Sequence, residues 1–157
     1  MESAHLEPES SPQARSGDVF HHQRLLLAGD AVVDCSSREL LTVTGPDRLI
    51  WLNSLITQKV DDLTPGQTKE SMILSPQGKI EYPFLMTDDG DTTFLLTESG
   101  LGEPLRAWLQ SMVFRMDAQV SLISGKQVLG FLTEISQEVE LHPAVIEFVD
   151  PWPSVGE

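Results

Sequence analysis

The sequence predicts an α+β fold in which an antiparallel sheet carries helices on one face, and three observations lead there. β-prone runs and amphipathic stretches alternate in the order β-α-β-β-β-α-β. The connections between the middle strands are tight turns, which join antiparallel neighbours and leave no room for a crossover. Helical spacing of apolar residues is clear in only two segments, so helices can layer one face of the sheet.

Taken in order, Phe20 to Val33 is apolar (Leu25, Leu26, Leu27, Val32, Val33) and punctuated by Gly29-Asp30, which suggests short strands or a strand–turn–strand entry. Leu40-Leu41-Thr42-Val43-Thr44 is a compact β-prone run that stops at Gly45-Pro46-Asp47. Proline suits the first helical position and Asp47 suits the positive end of the helix dipole, so a helix is expected from about Pro46. Leu49, Leu52, Leu55 and Ile56 then recur at helical spacing through about Thr57. Thr64-Pro65-Gly66 is a turn, and Ser71 to Leu74 reads as a buried strand ending at Ser75-Pro76-Gln77-Gly78. The next strand sets Ile80, Tyr82, Phe84 and Met86 on a core face, with Pro83 marking an edge or a bulge. Asp88-Asp89-Gly90-Asp91 closes a hairpin onto Thr92 to Thr97. Leu105, Trp108, Leu109 and Met112 form one helical stripe between Gly102 and Phe114, and strands follow at Gln119 to Ile123 and at Val128 to Leu132.

A chain of 157 residues suits a single core. Ten basic against 24 acidic side chains give a net charge of −14, which disfavours direct binding to nucleic acid or to an anionic membrane. Cys35 is the only cysteine, so an internal disulfide or a multi-cysteine metal site is excluded. There is no apolar run of roughly 20 residues and no signal-peptide pattern, and a reducing, cytoplasmic setting is expected. Residues 1–18 read as a flexible acidic arm, 19–125 as the folded domain, and 126–157 as an acidic C-terminal segment; from Gln127 onward six acidic residues stand without a Lys or Arg.

Most chemical motifs reduce to structure. Gly78-Lys79 lacks the first glycine, the Ser or Thr and the helix of a phosphate loop, so it reads as a hairpin turn. Asp88-Asp89-Gly90-Asp91 lacks calcium-loop spacing and reads as a solvated turn. His21 and His22, adjacent on a strand, would face opposite ways and cannot share a metal. Cys35 has neither a nearby His nor a glycine-rich elbow and reads as a half-buried thiol, while Trp51 and Trp108 read as packing residues. Glu81 stands apart as a carboxylate on the polar face of a strand, just after a glycine turn, though a solvated strand carboxylate is the plainer alternative.

The stretch Leu41-Thr42-Val43-Thr44-Gly45-Pro46-Asp47-Arg48-Leu49-Ile50-Trp51-Leu52-Asn53-Ser54-Leu55-Ile56-Thr57-Gln58 resembles the opening signature of the YgfZ/T-protein superfamily of folate-binding, aminomethyltransferase-like proteins. Leu63-Thr64-Pro65-Gly66 and Leu74-Ser75-Pro76-Gln77-Gly78-Lys79-Ile80 resemble its next segments at matching spacing, and Asp150-Pro151-Trp152-Pro153 is similar to a segment of actinobacterial YgfZ-like members. The resemblance covers about Asp34 to Leu122. It implies the N-terminal part of a three-domain, ring-like architecture whose folate pocket is shared between domains, so that 126–157 leads toward further domains.

The resemblance also implies tetrahydrofolate or a related folate as cofactor, with Thr57, Gln58, Lys79, Glu81 and Glu98 as binding positions. The T-protein's catalytic Asp, one of an Asp-Asp pair, matches Glu81, with Tyr82 in the second place, and a pterin-contacting Asn matches Glu98. That loss of the paired acid implies the YgfZ-like branch and leaves no confident catalytic residue, which leans away from an enzyme without deciding it. YgfZ-like proteins support iron–sulfur cluster assembly or repair, and through it tRNA-modifying enzymes, so iron–sulfur proteins are implied partners; no stretch here matches their downstream Lys-Gly-Cys-Tyr motif. Two other readings stay open: an aminomethyltransferase-like enzyme in which Glu81 replaces the Asp, and an acidic partner-binding module.

Overall fold

The computed structural model describes residues 19–132 and 145–151 of the chain. These fall into two compact units, 19–33 with 131–132 and 34–130 with 145–151. The arm expected at 1–18 and much of the acidic C-terminal segment lie outside the described residues.

The first unit holds helix α1 (Val19–Ala28), which corrects the strand–turn–strand expected there. No glycine or proline interrupts those ten residues, and Gln, Arg, Leu and Ala are good helix formers. Gly29, at φ 75°, ends the helix. Its N–H reaches the Leu26 carbonyl at 3.2 Å and the Asp30 N–H reaches that of Leu25 at 2.9 Å, the paired closure of a Schellman cap. Gly29-Asp30 is therefore a helix stop, and His21 and His22 sit on a helix rather than on a strand.

The second unit is a five-stranded antiparallel sheet with helices against one face. Its elements are β2 (Glu39–Thr44), α2 (Arg48–Asn53), β3 (Lys69–Leu74), β4 (Ile80–Asp88), β5 (Thr92–Thr97), α3 (Gly102–Ser111) and β6 (Gln119–Ile123), in the sheet order β3-β4-β5-β2-β6. Two two-residue strands, β1 (Val33–Asp34) and β7 (Leu129–Gly130), lie outside this sheet; the strand expected at Val128 to Leu132 is no longer than β7. The register stacks Leu41, Leu95 and Met86 in one row and Val43, Thr93 and Asp88 in the next. Leu52, Leu105 and Leu109, all fully buried, close the core over this face.

The strand after Thr44 turns into α2 through Gly45, whose backbone passes so close to Asp117 that a Cβ there would lie 2.1 Å from its carbonyl oxygen. Asp47 does not cap the helix with its side chain; its Oδ2 accepts the Asp117 N–H at 2.8 Å instead. The helix is shorter than expected, with turns from Ser54 onward in place of its last helical residues.

Three further expectations change. The ladder runs Ile73 opposite Tyr82 and then Leu74 opposite Ile80, which leaves Glu81 as an extra residue in a β-bulge. The bulge carries Ile80 off the core face, and Ile80 is 60% exposed. Met112 lies just past the end of α3 and is exposed rather than part of its buried stripe. Pro83 sits on an inner strand, yet interrupts no ladder. Its carbonyl takes the Thr97 hydroxyl at 2.8 Å, and the last β4–β5 pair is Phe84 with Thr97, so its missing N–H falls beyond the end of that ladder.

Candidate functional site

The register gathers most of the expected binding positions at one end of the sheet. On the face away from the helices, Leu85, Leu96, Leu40 and Ile123 form a continuous row across four strands. One step further out, Met72 pairs with Pro83, and extending the β4–β5 and β5–β2 registers by one residue brings Glu98 and Arg38 into the same line. Glu81 lies beyond Pro83 in the bulge, and the turn carrying Lys79 closes the same end. An apolar strip thus ends in a rim of charged side chains.

Each position has a local cause. Bulges re-aim a side chain and end regular pairing, and this one turns the exposed Glu81 out of the ladder. Lys79 is set by a tight turn: its N–H donates to Ser75 Oγ at 3.2 Å, its carbonyl accepts the Ser75 N–H at 2.8 Å, and Gly78 supplies φ 77°. Thr57 closes the outer edge of β3, donating its N–H to the Met72 carbonyl at 3.1 Å and accepting the Met72 N–H on Oγ1 at 3.2 Å. Gln58 follows it, exposed. Glu98 accepts a hydrogen bond from Arg38 Nη2 on Oε1 at 2.8 Å.

Sequence reasoning missed Arg38, which lies 60 positions from its partner. The signal was indirect, since Arg38 precedes Glu39 and the pairing of two β-prone runs brings Glu39 opposite Thr97. Tyr82, next to Glu81 in sequence, belongs to the other face and packs beside Trp108, with ring centroids 6.4 Å apart. The rim at Glu81 therefore holds one carboxylate where a pair was compared. Glu39, also on the helix side, accepts the Gly102 N–H at 2.6 Å and anchors the start of α3; a Cβ on Gly102 would meet its Oε2 at 2.8 Å.

The opposite end of the sheet corrects the reading of Asp88 as part of a solvated turn. Asp88 is 2% exposed and Arg48 9%. Arg48 grips the carboxylate with Nε at 2.9 Å and Nη2 at 2.8 Å, Thr93 Oγ1 donates at 2.5 Å and the Gly90 N–H at 2.8 Å. All four of these donors are spent on the carboxylate, so this cluster locks the β4–β5 hairpin to α2. Among the described residues no group of His, Cys, Asp and Glu is arranged to hold a metal ion, and no helix is long and apolar enough to cross a membrane. A groove beside α3 and β6, lined by Gln110, Val113, Ala118, Gln119, Val120 and Ser121, involves none of the rim residues.

An antiparallel α+β domain with a charged rim at one sheet end is the class that the geometry defines. The GCVT N-terminal domain family matches residues 22–132, and the chain belongs to that family. Among solved structures it is similar in fold to the glycine cleavage system aminomethyltransferase T from Bartonella henselae, with 22% sequence identity and a TM-score of 0.55. That similarity covers 59% of this chain and 26% of the other, so the chain spans about a quarter of that relative's length. No curated protein matches the chain.

Proposed function

We propose that this chain is a folate-binding domain that contributes one wall of a reduced-folate pocket, in the YgfZ-like manner of supporting iron–sulfur cluster assembly or repair. The observation that carries the reading is the sheet end itself, where Glu81 and Glu98 rim the apolar row of Leu85, Leu96 and Leu40. A planar, nitrogen-rich ring needs an apolar surface to lie on and acceptors for its N–H groups; the half-buried Leu85 and Leu40 offer the first and the exposed Glu81 and Glu98 the second, with Leu96 buried between them. Lys79 supplies a cation for a carboxylate tail. A bound folate would bring a carrier of one-carbon groups; this chain's own residues would bind and orient it.

Binding without transfer is favoured because Tyr82 faces Trp108 and leaves Glu81 without a second acid. The iron–sulfur role, with iron–sulfur proteins as partners and tRNA-modifying enzymes downstream, follows from the resemblance of the opening signature, and a cytoplasmic location goes with it. The net charge of −14 supports an action without direct nucleic-acid contact. A second reading draws on the fold similarity to an aminomethyltransferase: Glu81 would then accept a proton from a substrate amine or hold that amine in place.

Calorimetry with 5-formyltetrahydrofolate on this chain and on Glu81→Gln tests both. Binding that weakens in Glu81→Gln, without tetrahydrofolate-dependent turnover, supports the folate-holding domain. Turnover abolished in the variant supports the enzyme. Identical affinity in both proteins removes Glu81 from the site, and no binding at millimolar ligand removes the folate reading.

A further inference from the structure

We propose that Arg38 is a positioning residue of this sheet end: it holds the Glu98 carboxylate in place and offsets its charge so that its second oxygen is aimed to accept from the N–H groups of the ligand's ring. The inference rests on the folate reading and extends it to a residue outside the family signature quoted above. The backbone on both sides of the pair is fixed. Glu39, next to Arg38, is tied to Gly102, and the Glu98 carbonyl accepts the Leu101 N–H at 3.2 Å. Held this way, the two side chains meet at 2.8 Å without long excursions, and the contact engages Glu98 Oε1, which leaves Oε2 to accept from a ligand.

Stability does not explain the pair. The side chains are 37% and 58% exposed, and ion pairs in such surroundings add only about 0–1 kcal/mol to folding. The charge balance gives it another use. Glu39, Glu81 and Glu98 gather at this end of a strongly acidic chain, against Arg38 and Lys79. Without Arg38 the rim would carry one more uncompensated negative charge and release Glu98 to many rotamers.

The test measures affinity for 5-formyltetrahydrofolate, and for a pteroate analogue lacking the glutamate tail, in the full chain and in R38Q, R38K and the swap R38E/E98R. R38Q is expected to bind both ligands about fivefold more weakly, because both present the same ring, with its urea midpoint nearly unchanged; a loss confined to the tailed ligand would put Arg38 on the tail and overturn this inference. R38K should recover most of the affinity. The swap keeps an ion pair but should not restore binding, because the carboxylate has moved. Equal affinity of R38Q and the parent overturns this inference alone, as does full affinity in the swap, which would make the pair purely structural. If the unsubstituted chain binds neither ligand, the folate reading falls and this inference with it.

Discussion

Replacing Asp88 with Asn should be the most damaging single-atom change in the domain. The carboxylate receives four donors, from Arg48 Nε and Nη2, Thr93 Oγ1 and the Gly90 N–H, at 2.5 to 2.9 Å. An amide offers one oxygen and places an NH2 against donors, while Arg48 keeps its charge with its side chain only 11% exposed. Removing one partner of a buried pair costs about 3–5 kcal/mol, a large share of the roughly 5–15 kcal/mol that holds a domain together. Urea unfolding at neutral pH measures the loss. The same pair predicts acid sensitivity. Burial pushes the Asp88 pKa up, but the hydrogen bonds from Arg48, Thr93 and Gly90 and the Arg48 charge outweigh it and hold the pKa below 3.8. With the folded value depressed, the stabilisation is complete above about pH 4 and is lost as pH falls through the folded value. Asp88→Asn should therefore unfold more easily at neutral pH and show a shallower decline in acid. A loss under about 1 kcal/mol with an unchanged acid profile would refute the buried-lock account.

Four other outcomes follow. Leu52→Ala should cost about 2–5 kcal/mol in chemical denaturation, since Leu52 is fully buried between α2 and the sheet. Gly45→Ala places a methyl 2.1 Å from the Asp117 carbonyl oxygen at φ 108°, so it should lower the unfolding midpoint by an amount worth at least about 1–3 kcal/mol. Gly29→Ala should cost about 1 kcal/mol locally, read as faster amide exchange at Leu25 to Ala28, because φ 75° there favours glycine. Arg38→Gln should shift stability by no more than about 1 kcal/mol, given the exposure of its ion pair.

The sheet was legible because its strands alternate and its turns are short. Leu40 to Thr44, Ser71 to Leu74 and Thr92 to Thr97 each declare a β run, and the glycine turns fix their antiparallel order. Helix α1 was not legible as such. The unbroken Leu25-Leu26-Leu27 run has neither helical nor strand periodicity, and Gly29 signals a chain break without saying which element it ends. Asp88 looked solvated because its partner, Arg48, is 40 positions away and only the hairpin's docking brings them together. The candidate site divides the same way. Glu81 stood out beside its glycine turn, but the bulge that exposes it depends on how β3 pairs with β4, which neither strand's own sequence states. Pro83 gave a partial hint, two residues from the bulge.

The most direct test of the central claim is an amide-shift map of the chain titrated with 5-formyltetrahydrofolate. Perturbations are expected at Gln58, Lys79, Glu81, Leu96, Glu98 and Arg38, with the Asp88 to Gly90 hairpin end unmoved. Perturbations confined to the groove of α3 and β6, or none at millimolar ligand, would contradict that claim.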